Sequence, residues 1–272
     1  MIRFTKMEGA GNDYIYINNL VEQVPEERLP ALARAVSDRH FGVGADGLIV
    51  ILPPTEPGYD FRFRMFNADG SEGEMCGNGM RCFARYCYDR GLTDKRRFRV
   101  QTLAGCVEPE VLVGADGAVA GVRVDLGEPR DLHERRLVAG GREYDVTAVN
   151  TGVPHIVIFV SDVAAVDLAA VGPELERHPD FPGRTNVNFA QVLSGSAVRA
   201  RTWERGSGIT MACGTGASAV LVAACHHGHT GRRATVRMPG GDLLVEWDEA
   251  TNHVFLTGPA TFVCDGVFLR DF

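Results

Sequence analysis

Two stretches of this chain have the makings of reactive thiol sites. Cys76-Gly77-Asn78-Gly79 and Cys213-Gly214-Thr215-Gly216 each set one cysteine directly before closely spaced glycines. The residues after each cysteine are compatible with a helix. Met80, Phe83, Ala84 and Cys87 recur at helical spacing and Gly91 offers a stop. Ala217 to Cys225 is nearly apolar, which predicts a buried helix, and Gly228 offers its stop. Both cysteines are therefore expected at a helix N-terminus, where unpaired N–H groups and the helix dipole favour an anion such as a carboxylate. The same positive end favours thiolate over thiol, and the glycines let backbone approach a ligand closely. Two such sites acting on one amino-acid Cα would form a proton-transfer pair. A thiolate removes the α-proton from one face, a thiol returns a proton to the other, and the helix ends stabilise the enolate-like charge.

The two elements belong to a longer internal repeat. Sliding the chain by 137 residues sets Phe66 on Trp203, Asn67 on Glu204, Cys76 on Cys213, Gly77 on Gly214 and Gly79 on Gly216. With a small change of offset, Gly11-Asn12-Asp13-Tyr14 meets Gly152-Val153-Pro154-His155. Two homologous halves, each with one cysteine at one structural position, account for the pattern. Cys82, Cys87, Cys106, Cys225 and Cys264 lack the glycine context and read as ordinary thiols.

The elements that must carry these sites are short strands and helices in irregular alternation. Asp13 to Ile17 and Gly47 to Ile51 read as strands rich in β-branched and aromatic residues. Phe61 to Phe66 alternates apolar with basic residues, as a half-buried strand does. Gly114-Ala115-Asp116-Gly117 and Gly127-Glu128-Pro129 read as hairpin-like turns, and a domain boundary is expected near residue 120.

At 272 residues the chain suits one large domain or two modest ones, and 45% apolar residues fill ordinary cores. The net charge of −7 argues against nucleic acid and anionic membranes as partners. Lys95-Arg96-Arg97-Phe98-Arg99 reads as a solvated turn leading into a strand. The N-terminus lacks a signal-peptide core and no apolar run would span a bilayer, so a soluble cytoplasmic protein is expected. Seven cysteines, an odd number without a CxxC pair, fit reduced thiols and no zinc site. His226-His227-Gly228-His229 reads as a cationic cap on a helix end rather than a metal site. Only Lys6 and Lys95 are available for a Schiff base, which disfavours pyridoxal phosphate.

The residues resemble the diaminopimelate epimerase family. The resemblance rests on Met7-Glu8-Gly9-Ala10-Gly11-Asn12-Asp13, Asp38 to Asp46, Phe66 to Ser71, Met75 to Cys82, Phe181 to Phe189, Trp203 to Gly208 and Ala212 to Gly216, in order along nearly the whole chain. It implies interconversion of LL- and meso-2,6-diaminopimelate, a small-molecule substrate, in bacterial lysine and cell-wall precursor synthesis, with no cofactor and no metal. It implies an α+β fold of two pseudo-symmetric domains, residues 1–120 with 263–272 and residues 121–262. Each would be a mixed or antiparallel, barrel-like β-sheet wrapped on a central helix, with the active site in the cleft between them. A homodimer is implied as well. Carried onto this chain, Cys76 and Cys213 are the catalytic pair, with Cys213 accepting the proton of the LL isomer and Cys76 donating. His155 and Glu204 orient and activate the thiols. The backbones of Gly77, Asn78, Gly214 and Thr215 hold the reacting carboxylate, and Asn12, Asn67, Asn186, Glu204 and Arg205 contact substrate. A distal ammonium and carboxylate need acceptors and a cation together, which Asn, Glu and Arg supply. The chain departs from the family at Gly47, where many members have Gln, and at Val153, where many have Asn.

Three rivals remain at this stage. An isomerase of another amino acid, such as proline or histidine, would share the thiols but not the need for Asn67 and Glu204-Arg205. A Cys/His hydrolase with His155 as base leaves the second cysteine unexplained. An amino-acid-binding protein would need the helix ends but not the sulfurs.

Overall fold

The computed structural model describes residues 1–272. It opens with β1 (Ile2–Gly9), β2 (Asn12–Asn18), the single turn α1 (Asn19–Glu22), α2 (Leu29–Ser37), β3 (Gly47–Leu52), β4 (Phe61–Asn67) and β5 (Glu72–Gly73). Then come α3 (Gly77–Asp89), β6 (Val100–Thr102), β7 (Gly105–Val107), β8 (Glu110–Val113), β9 (Val119–Asp125), β10 (Arg130–Ala139), β11 (Arg142–Asn150) and β12 (Pro154–Phe159). The rest is α4 (Leu168–Glu176), β13 (Asn186–Ser194), β14 (Ala197–Glu204), β15 (Gly208–Thr210), α5 (Gly214–His226), β16 (Arg233–Met238), β17 (Gly241–Trp247), β18 (Val254–Gly258) and β19 (Thr261–Phe268). These elements form two compact units, Met1–Val124 with Gly258–Phe272, and Asp125–Thr257. No helix is long and apolar enough to cross a membrane.

The sheet of the first unit runs β19-β1-β2-β3-β4-β6-β7, with β5 paired to β4. Its β2/β3 and β4/β6 pairs are parallel and the others antiparallel. The second unit runs β10-β11-β12-β13-β14-β16-β17, with β18 next and β15 paired to β14. There β12/β13 and β14/β16 are the parallel pairs. Order and strand sense match position for position, so the repeat in the sequence is a repeat of two mixed sheets.

Parallel neighbours need a crossover, and a helix supplies it in each unit: α2 between β2 and β3, α4 between β12 and β13. That helix covers the outer face of the sheet. Leu29, Leu32 and Val36 of α2 share one core with Ile15, Ile17, Leu48 and Val50. Leu168 and Leu175 of α4 share another with Ile156, Ile158, Val187 and Phe189. Each such aliphatic burial stabilises by roughly 1.5–3 kcal/mol. The inner face packs on the cysteine-capped helix: α3 lies on β1, β2, β3 and β8, and α5 lies on β11, β12, β13, β14, β16 and β17. Because β3 is covered on both faces, all of it is buried and its apolar run is continuous rather than alternating.

Both helices stop in the same way. In α3, Gly91 N–H bonds Tyr88 O and Leu92 N–H bonds Cys87 O; in α5, Gly228 N–H bonds Cys225 O and His229 N–H bonds Ala224 O. Gly91 and Gly228 both have φ of +69°, as left-handed helix ends require. One expected turn is different. Gly114–Gly117 does join β8 to β9 as a hairpin. Gly127-Glu128-Pro129 makes no hairpin, because Leu126 and Gly127 bond Val254 and β10 leaves to pair with β11.

Candidate active site

Each cysteine is the N-cap of its helix. Cys76 has extended backbone (φ −134°, ψ 121°) and its Sγ accepts from Gly79 N–H at 3.5 Å. Cys213 matches it (φ −125°, ψ 115°), with Sγ accepting from Gly216 N–H at 3.3 Å. A sulfur thus does what a Ser or Asp oxygen does at most helix starts. The cap places it against the positive end of the helix dipole. The first turns also bring Gly77, Asn78, Gly214 and Thr215 to the helix starts, where backbone N–H groups have no intrahelical partner.

In the first unit, Cys76 meets β2. Its Sγ donates to Asn12 Oδ1 at 3.5 Å and accepts from the Tyr14 hydroxyl at 3.6 Å. The direction of the first bond is set from behind. Asn12 Nδ2 donates to Asp46 Oδ2 at 2.7 Å, so Oδ1 is the free acceptor, and Asn78 Nδ2 donates to it at 3.2 Å. Asn78 is aimed in turn by Arg81, a fully buried arginine whose guanidinium donates to Asn78 Oδ1 at 2.9 Å and to Pro259 O at 3.0 Å. Burial pulls the Arg81 guanidinium below its usual pKa. Burial, then the neighbouring Cys76, holds the Tyr14 phenol well above its ordinary range, so it stays a donor. This network gives Cys76 Sγ one acceptor, Asn12 Oδ1, and two donors, the Tyr14 hydroxyl and Gly79 N–H.

In the second unit, Cys213 Sγ lies 3.4 Å from Thr215 Oγ1, which lies 3.0 Å from His155 Nε2. His155 Nδ1 is 3.1 Å from Asn188 Nδ2, and Asn188 Oδ1 accepts from Thr202 at 2.8 Å. His155 is 1% exposed, and Asn188 and Thr202 are fully buried. Burial, with the Arg205 charge adding to it, pushes the His155 imidazole down to a pKa of about 3. His155 thus reaches the sulfur through the Thr215 hydroxyl.

The other expected residues fall into place around these networks. Asn186 Nδ2 donates to Pro154 O and its Oδ1 accepts from Arg205 N–H at 2.8 Å, so its amide fixes the backbone that carries Arg205. Arg205 donates to Gly183 O at 2.9 Å. Glu204 Oε1 accepts from Thr210 at 2.6 Å across the β14/β15 hairpin. Asn67 is exposed and donates to Ser71 Oγ in the turn after β4. At Gly47 a Cβ would stand 2.3 Å from Phe66 O, so the backbone there leaves no room for a side chain. Val153 O accepts from Thr151 N–H in the turn before β12. Lys6 is paired with Asp13 at 2.7 Å and Lys95 with Asp60 at 2.5 Å. None of the seven cysteines is in a disulfide, and burial pushes the Cys82 thiol up to about 12. The histidine run lies at the end of α5, where the backbone N–H groups of His227 and His229 bond the helix carbonyls of Ala223 and Ala224. His226 reaches Glu134 at 3.2 Å and His227 reaches Thr147 at 2.7 Å. The ligand atoms of Glu134, His226 and His227 lie within 4.8 Å of one another, on exposed side chains.

Sequence reasoning passed over Tyr14, Asp46, Arg81, Asn188, Thr202 and Glu176. The last, buried in α4, accepts from Trp203 Nε1 at 2.8 Å and Gly206 N–H at 3.3 Å, and so holds the turn that bears Arg205. One signal was available: Asn186 and Asn188 alternate with Val187 and Phe189, a polar inner face on an otherwise apolar strand.

Comparison with known proteins bears on this arrangement. The sequence profile of the diaminopimelate epimerase family matches residues 4–132 and 147–263. The diaminopimelate epimerase of Pelotomaculum thermopropionicum is 49% identical over 280 residues, covering 98% of this chain and 99% of that protein. That of Moorella thermoacetica is 48% identical over 283 residues, covering 99% of this chain and 100% of that protein. Among solved structures, a Bacillus anthracis phenazine biosynthesis protein of the PhzF family matches with TM-score 0.76 at 15% identity, over 99% of both chains. A probable proline racemase from Agrobacterium radiobacter matches with TM-score 0.73 at 17% identity, over 100% of this chain and 94% of that one. These last two speak for the fold alone. The match in sequence, end to end and at nearly half of all positions, places the chain in the diaminopimelate epimerase family of isomerases.

Proposed function

We propose that this epimerase interconverts LL- and meso-2,6-diaminopimelate by a two-base mechanism in which Cys213 begins as thiolate and Cys76 as thiol. The observation that carries the reading is the amide oxygen of Asn12 accepting from Cys76 Sγ, set against the Thr215 hydroxyl backed by His155 at Cys213. The backbone N–H groups of Gly77, Asn78, Gly214 and Thr215 hold the reacting carboxylate. The Cys213 thiolate takes the α-proton, the electron pair spreads onto the carboxylate, and the Cys76 S–H protonates Cα from the other face. Turnover leaves Cys213 protonated and Cys76 ionised, which is the form that runs the reverse direction. Asn12, Asn67, Asn186, Glu204 and Arg205 serve substrate binding, with Asn186 acting by fixing Arg205. Both lysines are engaged in ion pairs, which fits chemistry without a Schiff base. The reaction belongs to lysine and peptidoglycan precursor synthesis. A cytoplasmic homodimer is the working form, in keeping with seven cysteines outside any disulfide for the compartment and with the family for the dimer.

The test is to incubate the reduced protein with LL-diaminopimelate in D2O, with no cofactor added, and follow α-hydrogen exchange and the meso isomer. Wild type should do both. Cys76→Ala and Cys213→Ala should each lose epimerisation by at least ~10²-fold, the lower bound for a positioned acid or base. Epimerisation at the full rate by either variant refutes the mechanism.

A further inference from the structure

The polar network under Cys213 contains one atom whose role cannot be reversed. The carbonyl of Ile156 only accepts, and Asn188 Nδ2 lies 3.0 Å from it. That contact fixes the orientation of the Asn188 amide, as does the Thr202 hydroxyl donating to Asn188 Oδ1 at 2.8 Å. The remaining Asn188 N–H then points at His155 Nδ1, 3.1 Å away, which must accept. His155, buried and neutral, therefore carries its proton on Nε2. Nε2–H donates to Thr215 Oγ1 at 3.0 Å, and the Thr215 hydroxyl is left to donate to Cys213 Sγ at 3.4 Å. Every bond in the chain runs toward the sulfur.

The first unit shows the same frame without this chain. Tyr14 pairs Gly47 as His155 pairs Asn186, so Ile49 holds the place of Asn188. Ile49 faces Met65 as Asn188 faces Thr202. A Cβ on Gly79 would stand 2.5 Å from Ile49 Cδ1, and a Cβ on Gly216 would stand 2.6 Å from Asn188 Oδ1. One packing position thus holds an apolar side chain in one unit and an amide in the other.

We propose that Asn188 is a positioning residue for the thiol chemistry: it fixes His155 as the Nε2–H tautomer and thereby aims the Thr215 hydroxyl at Cys213. The charged group acting on this chain is Arg205 at the end of β14. The role rests on the reading of Cys213 as a proton-carrying thiol. It is tested without turnover, so the two can fail separately.

The experiment uses the whole reduced enzyme labelled with ¹⁵N-histidine, the His155 signals being assigned with His155→Gln. Wild type should show a pyrrole-like Nε2 and a pyridine-like Nδ1. Asn188→Ile, a side chain the first unit already accommodates at this place, should give mixed or Nδ1–H imidazole. In the same samples, iodoacetamide modification of Cys213 relative to Cys76 should fall about tenfold, the low end for a hydrogen bond to a charged acceptor. Thr215→Val should leave the tautomer in place yet lower the Cys213 to Cys76 ratio to the same degree. Should Asn188→Ile fail to fold, the wild-type tautomer and Thr215→Val still decide. An Nδ1–H imidazole in wild type overturns the proposal, as does a tautomer or thiol ratio unmoved by Asn188→Ile, or a ratio unmoved by Thr215→Val. Should Cys213→Ala still epimerise, the thiol reading falls while the tautomer result stands.

Discussion

The same substitution at two equivalent glycines should have unequal effects. Gly79 and Gly216 each lie three residues after the capping cysteine, and a new Cβ at either would meet a strand side chain at 2.5–2.6 Å. What it meets differs. At Gly79 it meets the terminal methyl of Ile49, which can rotate away. The cost is an off-rotamer side chain of about 0.5–1.5 kcal/mol, and Ala regains about 0.5–1 kcal/mol of helix propensity. Gly79→Ala should therefore change stability by no more than about 0.5 kcal/mol. At Gly216 it meets Asn188 Oδ1, and that amide is held by bonds of 2.8, 3.0 and 3.1 Å to Thr202, Ile156 and His155. Moving the amide forfeits about 1 kcal/mol for each bond. The Cβ also falls 3.2 Å from Cys213 Sγ. After the propensity gain, Gly216→Ala should lose about 2 kcal/mol. For a chain of this size that is a fall in Tm of about 4–8 °C, against less than about 2 °C for Gly79→Ala. Thermal unfolding followed by circular dichroism measures both. Equal shifts, or the larger shift at Gly79, would refute the claim that the two helix starts pack on different chemistry.

Other outcomes rest on the same contacts. His155 is held down to about 3 in the fold against about 6.5 unfolded, so it contributes stability that is complete above pH 6.5 and is lost as pH falls toward 3. The loss should run at about 1.4 kcal/mol per pH unit through that window, and urea midpoints at pH 4 and pH 7 should differ less in His155→Gln than in wild type. Arg81→Met leaves Pro259 O and Asn78 Oδ1 without their donor; relief of the buried charge offsets part of this, and urea denaturation should show a net loss of about 2 kcal/mol. Asn186→Ala frees the backbone of Arg205 and should raise KM for diaminopimelate about tenfold while kcat falls less, as steady-state kinetics would show.

Much of this was legible in the residues because local rules govern it. A cysteine before two glycines and an apolar helical run reads as a helix start wherever it lies, and Gly91 and Gly228 read as stops. The repeat was visible in the text alone, down to the pairing of Tyr14 with His155. What was hidden depends on which face of a strand meets which helix. Arg81 sits among Met80, Phe83 and Ala84 with a charge that suggests solvent, yet it is fully buried because α3 is covered there and Pro259 supplies an acceptor. The partner of β1 is β19, from the far end of the chain, and no local pattern announces that pairing. Gly127-Glu128-Pro129 has hairpin composition, but a strand more than a hundred residues away takes its backbone bonds.

The divergence between the halves has a direction. On the outer faces, both units kept the same solution: aliphatic side chains of β3 and β13 against the crossover helix. On the inner faces, Tyr14, Ile49 and Met65 stand where the other unit has His155, Asn188 and Thr202. Buried polar groups of this kind cost desolvation unless every one is bonded, so packing alone gives no reason to introduce three of them in one unit. The proposed two-base mechanism does give one. It needs one thiol that starts with a proton and one that starts without, and two identical helix starts cannot provide that difference. The strands beneath them do differ: Cys76 has an amide oxygen to donate to as well as the Tyr14 hydroxyl, while Cys213 meets a hydroxyl backed by His155. On the mechanism proposed here the helix ends make both thiols reactive, and the inner faces of the two sheets set which of them begins the reaction.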